Sequence, residues 1–533
     1  MNIGGVWKLD GNLGGDGFSF ISRGLGLVLG PHVQVLEDEH HVLFLEGHFF
    51  GRPLTDGLAS IASLENAFGN FCFVRLEKAT GSIDIGTDRT GLFPLYHAFE
   101  DGRLIFGTTL NFVKANLRNP TANYEAWEEL FVLGEVIGDK STVLGVERLR
   151  YGTRISIDND KVRFVRYWTP EQPDLVDDAT YIRNNNALLE EALALTVGEA
   201  RPKVVMLSGG EDSRRIALGV TRAGIDASFM TQRASHQGSF DVDTALACEV
   251  AKALGKELIV EPLPDTVQYV ADWKTRNELL GFECTAHEWL LPLIRRTSSA
   301  SIIYDGIHGG GTINGHFFKE FPQAVEDFSV DALATMICAG TNRPWLGTLR
   351  KKTSSSLVER VRDILSRYPE SPYRINWFYT LHHTRRKIAF VSQLFGQHGH
   401  WTCYPFDYYP LFIQCFSADP KHMRDRLFQR ECMAALAPEI ASIPTTRGEV
   451  PPQFLTEMAD DDRKQRRALR QQLIVSEEAL ELLPMFRTRY RILNRLRSVA
   501  GGRLLDRYGW FFEPASRFSS FLTWLKDKNG AVI

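Results

Sequence analysis

The chain has 533 residues, a formal net charge of −4 and a pI near 6.4, long enough for two or more hydrophobic cores because single cores stop growing well below this length. That balance supplies no global basic field, so neither nucleic acid nor an anionic membrane is expected as a partner. Seven cysteines, at 72, 248, 284, 338, 403, 415 and 432, form no CxxC pair. This argues against a disulfide framework or a zinc ribbon and for reduced thiols. The start, Met1-Asn2-Ile3-Gly4-Gly5, has no basic segment leading into an apolar run. No stretch approaches the roughly 18 apolar residues of a spanning helix, so the expected location is cytoplasmic, without membrane insertion.

To about residue 170, short apolar runs alternate with Gly, Asp and Pro, which predicts a β-rich unit with strands near Val42–Leu45, Phe71–Leu76, Ser82–Thr87 and Leu104–Thr108. The polar stretch from Glu171 to Asp178 reads as a linker. The period then becomes helical, with Ile182, Leu189, Ala192, Leu193 and Thr196 on one face and Thr180 as its cap. Val204-Val205-Met206-Leu207 reads as a strand buried on both faces of a parallel sheet. A helix at about 212–223, a strand at 227–231, a helix at about 241–254 and a strand at 257–260 follow, an α/β alternation. Beyond about 320 the pattern is mainly helical, and 463–497 is dense in arginine, which reads as solvated helix faces packed on the body.

Directly after the buried strand stands Ser208-Gly209-Gly210-Glu211-Asp212-Ser213, running into a helix. Glycines let such a turn approach a ligand closely, and the open amides and dipole of the helix start favour phosphate. The lysine of a GxxxxGK[ST] loop is missing, so the turn suits pyrophosphate as a leaving group. Asp212 is then placed to hold Mg²⁺ against the phosphates, since magnesium takes few carboxylates plus phosphate oxygens. Arg214 and Arg215 are read as solvent-facing, with phosphate contact the alternative. Cys72 lies in an apolar strand and reads as core. His382-His383 and His398-x-His400 lack the partners of a metal site.

Leu207-Ser208-Gly209-Gly210-x-Asp212-Ser213 resembles the pyrophosphate loop of the asparagine synthetase family, whose relatives include β-lactam synthetases and lasso-peptide cyclases. Asp88-Arg89-Thr90-Gly91-Leu92-Phe93-Pro94-Leu95-Tyr96 with Leu104-Ile105-Phe106-Gly107 is similar to stretches of that family's glutaminase-like domain. Thr142 through Tyr167-Trp168, the helix from Asp243 to Gly255, and Pro405-Phe406-Asp407 resemble further family segments in the same order. The resemblance implies an α/β and α+β multidomain fold. A class II glutamine amidotransferase-like αββα sandwich over 1–172 would precede a pyrophosphate-loop synthetase domain of the adenine nucleotide α-hydrolase type over 178–455 and a helical, Arg-rich extension over 456–533.

The resemblance also assigns chemistry. It implies an ATP- and Mg²⁺-dependent ligase that activates a carboxylate as an acyl-adenylate, releases pyrophosphate and passes the acyl group to ammonia or an amine. Leu207, Thr231, Asp305 and Gly306 would bracket the adenosine, and Ser208, Gly209, Gly210, Asp212 and Ser213 the phosphates. Two departures stand out. Family members that hydrolyse glutamine carry Cys at position 2 where this chain has Asn2, so free ammonia, a separate glutaminase or an amine of the substrate would supply nitrogen. The second family motif carries Asp and Glu where Gly306–Gly315 has glycines, leaving Asp305 as a candidate second metal ligand, His308 as a base or phosphate donor and Arg447 as the nearest catalytic cation. The alternatives are a specialised member, either a lasso-peptide cyclase or an enzyme amidating an acidic sugar, and a nucleotide-binding scaffold without catalysis.

Overall fold

A computed structural model of the chain describes residues 3–8, 18–22, 24–51, 60–233, 241–284, 286, 290–297, 300–339, 356–446, 452, 461–483, 488, 492 and 502–527. The N-terminal part forms two six-stranded sheets, antiparallel throughout. The first runs, edge to edge, Val146–Arg148, Tyr96–Glu100, Arg103–Gly107, Ile3–Lys8, Leu25–Leu29, Phe20–Ser22. The second runs Lys161–Arg166, Thr153–Asp158, Ile83–Thr87, Gly69–Glu77, His41–Phe49, Gln34–Glu37.

Strict alternation along the strands explains the layers. Val42 and Phe44, with Cys72, Val74, Ile83 and Ile85, meet Trp7, Leu25, Leu27, Leu104 and Phe106 of the first sheet in a core between the sheets. Their neighbours Leu43, Leu45, Phe71 and Phe73 point the other way, onto Leu64 of the helix Ile61–Asn66. On the outer face of the first sheet Phe112 closes over Gly4 and Gly107, where a Cβ would stand 2.8 Å from its ring. The result is the expected αββα arrangement.

A five-stranded parallel sheet follows, in the order Leu258–Glu261, Ser228–Gln232, Lys203–Met206, Ile302–Tyr304, Trp401–Cys403. Lys203–Met206 is the central strand, which accounts for its apolar run. The helix Asp178–Ala194 begins one turn earlier than Thr180 promised. Its cap is Asp177, whose carboxylate accepts the Thr180 amide at 2.9 Å and so satisfies a first-turn donor that Thr180, already inside the helix, leaves open. Helices dominate after residue 315, ending in Gly502–Lys526. Among the described residues no helix is long and apolar enough to cross a membrane.

The sandwich and the parallel sheet are joined by buried arginines that donate to carbonyls. Arg148 of the sandwich donates to Arg385 O at 3.2 Å, and Arg385 in return reaches Gly91 O and Leu149 O at 2.8 and 2.5 Å. Arg386 donates to Gly138 O at 2.9 Å and to the buried Glu283 carboxylate at 3.2 Å, which also accepts from Tyr96 at 2.8 Å. These hydrogen bonds offset much of the cost of burying the charges, although Arg148 Nε, Arg385 Nη1 and Arg386 Nε find no partner among the described residues. The two parts are therefore held in one fixed relation.

Candidate active site

The strand Lys203–Met206 delivers the chain to Leu207, whose amide donates to Met230 O at 2.9 Å, and the glycine turn begins there. Its shape is set internally. Ser208 N donates to Ser213 Oγ at 3.0 Å, Gly209 N to Asp243 Oδ1 at 3.0 Å, and Gly210 N to Ser208 Oγ at 3.2 Å. A Cβ on Gly209 would lie 2.9 Å from Leu246 Cβ, so only glycine fits there. The helix Glu211–Arg222 starts at Gly210 with no side-chain cap. The amides of 208–210 are thus engaged within the turn, and the positive end of the helix dipole lies just beyond them.

Ser208 and Asp212 line clefts on both sides of the turn. One, about 130 Å³, is closed by Glu211, Asp243, Asn314 and Thr446. The other, about 330 Å³, extends over Ser213, Asp305, Gly306 and His308 towards Phe317 and His383. Asp212 Oδ1 accepts from Gln429 Nε2 at 2.8 Å. A Cβ on Gly309 or Gly310 would stand 2.7 or 2.9 Å from the Asp212 carboxylate, and one on Gly306 2.8 Å from the backbone of Asp212 and Ser213. Of the two glycines in place of the second motif's acids, Gly310 leaves room for the Asp212 carboxylate, whereas a Cβ on Gly311 would stand 2.8 Å from the Phe317 ring.

Asp305 ends the strand Ile302–Tyr304, and Oδ1 accepts the Ile307 amide at 3.1 Å. Burial pushes its pKa up to about 6, and the Asp212 charge adds to the rise against the pull of the Ile307 hydrogen bond. A buried carboxyl raised in part by a neighbouring carboxylate is a setting a divalent cation relieves. Among the described residues no group of three His, Cys, Asp or Glu side chains could hold a metal. Asp212 and Asp305 are the residues that could hold a magnesium ion here, which would need its remaining ligands from phosphate and water.

His308 is in the left-handed region, φ 78°, with its ring 3.3 Å from Asp407 Oδ1 and over Phe412 at 5.3 Å. It stands in the wall of the larger cleft. Thr231 is buried at the end of Ser228–Gln232, and neither it nor Leu207 lines the two clefts. Arg447 lies outside the described residues, as does Asn2. Arg214 and Arg215 differ from expectation, being neither solvent-facing nor phosphate ligands. Arg214 ties the turn to the 440–444 segment through Gly209 O, Ile443 O and Pro444 O at 3.2, 2.6 and 2.8 Å. Arg215 donates to Gln429 Oε1 at 2.7 Å and Asn186 Oδ1 at 3.1 Å. Both point inward because their helix face packs on the body. Asp243, Gln429 and Asn314 are contributors that sequence reasoning passed over. Gln429 had no signal, whereas Asp243 stands at the head of a family-like helix and Asn314 within the Gly306–Gly315 motif.

Behind His308 a polar link joins the two halves. Thr90 Oγ1 donates to Asp88 Oδ1 at 2.9 Å and lies 3.2 Å from each Asp407 oxygen, and Asp88 accepts the Leu92 and Phe93 amides at 2.9 and 2.8 Å. Burial and then the Asp407 charge push the Asp88 pKa up to about 7. Burial raises Asp407 as well, against the pull of His308. A carboxyl whose pKa is higher folded than unfolded binds more protons in the folded state, so stability falls as pH rises from about 4 to about 7. The urea midpoint is therefore expected to drop between pH 5 and pH 8. Asp407→Asn, which removes the repelling charge but keeps an acceptor for Thr90, is expected to shrink that drop, and an unchanged pH slope would contradict the coupling.

Antiparallel sandwich, parallel sheet and glycine turn together define an amidotransferase-like unit joined to a parallel α/β unit. Residues 59–168 match the glutamine amidotransferase domain family. Over 180 residues the chain is 28% identical to the putative asparagine synthetase [glutamine-hydrolyzing] 2 of Methanocaldococcus jannaschii, covering 32% of this chain and 35% of that relative, about a third of its length. The chain is thus similar in part to an asparagine synthetase, and residues 59–168 form a glutamine amidotransferase-like domain. Among solved structures it matches the allosteric regulatory enzyme of purine biosynthesis at 10% identity and a TM-score of 0.20, covering 50% of this chain and 75% of that one. It also matches the glutamine phosphoribosylpyrophosphate amidotransferase of B. subtilis complexed with ADP and GMP at 10% identity and a TM-score of 0.19, covering 64% and 73%. Scores this low carry no functional weight.

Proposed function

We propose that this chain is an ATP-dependent amide-forming ligase: a substrate carboxylate attacks the α-phosphate, pyrophosphate leaves into the turn after Lys203–Met206, and ammonia or an amine takes the acyl group. The observation that carries this reading is the glycine turn, fixed by Ser213 and Asp243, with Asp212 held by Gln429 at the junction of two clefts and facing Asp305. Three acidic side chains, Glu211, Asp212 and Asp243, border the smaller cleft. A polyphosphate would be repelled there without a counter-charge, and magnesium held by Asp212 and Asp305 would supply it.

Nitrogen from outside the chain fits the thiols. Cys72, on the inner face of the sandwich, is fully buried, and burial pushes its pKa well up, as does the Glu46 charge. The exposed Cys248 sits on the helix Val242–Ala253, and its pKa is also raised. An activated thiolate needs the opposite shift. The nearest named activity, from the M. jannaschii relative, is asparagine synthesis; the specialised ligases remain the alternative within the class.

The test is pyrophosphate exchange into ATP with Mg²⁺ and a panel of acids, namely L-aspartate, L-glutamate and uronic acids. Exchange dependent on one acid is the expected result. ATP binding without exchange for any acid would favour a scaffold without catalysis.

A further inference from the structure

Three histidines line the larger cleft: His308, His316 and His383. Their settings differ. The His308 side chain is 1% exposed and pressed against Asp407, and His316, 43% exposed, faces its own helix neighbour Glu320 at 3.8 Å. His383 is 29% exposed, and its Nδ1 lies 2.6 Å from Oε2 of Glu135, itself 3% exposed and contributed by the N-terminal part. A carboxylate only accepts, so Nδ1–H donates to it and the Nε2 lone pair is left for the cleft.

The backbone presents this ring on purpose-built ground. Thr380–Ile388 is a π-helical segment, and so is Gly309–Ile313 across the cleft, the kind of widened turn that recurs at functional sites. Its His383, Thr384 and Ile388 all line the cleft. Phe317 and Tyr379, stacked at 4.5 Å, stand edge-on to the imidazole at 6.2 and 6.0 Å and fix its plane. An oriented imidazole backed by a buried carboxylate is the arrangement by which proteins build a general base.

From this geometry we infer that His383 is the base of the amide-forming step, with Glu135 as its positioning residue. The inference rests on the ligase reading above. The neutral nitrogen attacks the acyl carbon of the adenylate, forming the C–N bond, and AMP leaves with the electron pair of the acyl C–O bond. The proton shed by the nitrogen goes to Nε2 of His383, and the resulting imidazolium is stabilised by the Glu135 carboxylate. The N-terminal part thus contributes Glu135 to the synthetase site.

The experiment separates the two half-reactions on the full chain. The acid that gives the fastest pyrophosphate exchange in the wild type is used with ammonium, and then with hydroxylamine, a strong nucleophile that is neutral near pH 7. His383→Gln is expected to keep exchange within about twofold and to lower amide formation about 10²–10⁴-fold, the usual share of a general base. Hydroxamate formation should survive in this variant. Glu135→Gln should lower amide formation by a smaller factor, with Glu135→Asp recovering part of it. Equal loss of exchange and amide formation in His383→Gln, or loss of hydroxamate as well, would overturn the assignment while leaving the ligase reading standing. Absence of exchange in the wild type with every acid would instead remove the ligase reading and the inference with it.

Discussion

Asp212→Asn is expected to lower acid-dependent AMP formation by about 10²–10³-fold, the loss of about 3–4 kcal/mol that follows removal of one preorganised charge partner. The substitution is close to isosteric, and the asparagine can still accept from Gln429, whose Nε2 lies 2.8 Å from Oδ1. Relief of the charge facing Asp305 should also let the Asp305 pKa fall from about 6, since Asp212 is one of the causes of its rise. The fold should be untouched, so the urea midpoint is the control. A variant that turns over at the wild-type rate would show that Asp212 neither holds magnesium nor touches phosphate.

Trp127→Ala is expected to cost about 3–5 kcal/mol of stability, the range for removing a large buried aromatic. Trp127 is 1% exposed and meets Phe518 and Phe521 of the final helix at ring distances of 4.8 and 4.9 Å. The same helix end is pinned by Lys114, whose Nζ donates to Trp524 O and Asp527 O at 2.7 and 2.8 Å. The C-terminal region is thereby a strap across the sandwich, and Arg470 within it pairs with Glu513 at 3.0 Å. The check is the urea midpoint of the full chain. A change below about 1 kcal/mol would mean the helix is dispensable to the core.

What sequence reveals and conceals here divides by range. The alternation from Lys203 to Glu261 was legible because each element carries its own period, and the observed strands and helices, Lys203–Met206, Glu211–Arg222, Ser228–Gln232, Val242–Ala253 and Leu258–Glu261, lie within a residue or two of expectation. The Cys72 strand was legible as core for the same reason. Hidden were the features made by distant partners. Glu135 and His383 are separated by 248 positions and Thr90 and Asp407 by 317, and no local pattern links them.

Arg214 and Arg215 show the other limit. Arginines in a first helical turn look solvent-bound until the fold supplies buried carbonyls and amides to receive them. The two histidine pairs proved to be hydrogen-bonded individually: His382 to Tyr368 at 2.7 Å, His398 to Leu394 O at 2.8 Å, and His400 accepting the Ser301 amide at 3.3 Å.

The whole account depends on a magnesium–triphosphate complex seating itself at the 208–213 turn. Isothermal calorimetry of ATP into the full chain, with and without Mg²⁺, measures this most directly. Saturable one-to-one uptake that requires Mg²⁺ and weakens at least about tenfold in Asp212→Asn, a change of about 1.4 kcal/mol, is the predicted result. Folded protein that takes up no nucleotide, or takes it up equally with the variant, would contradict it.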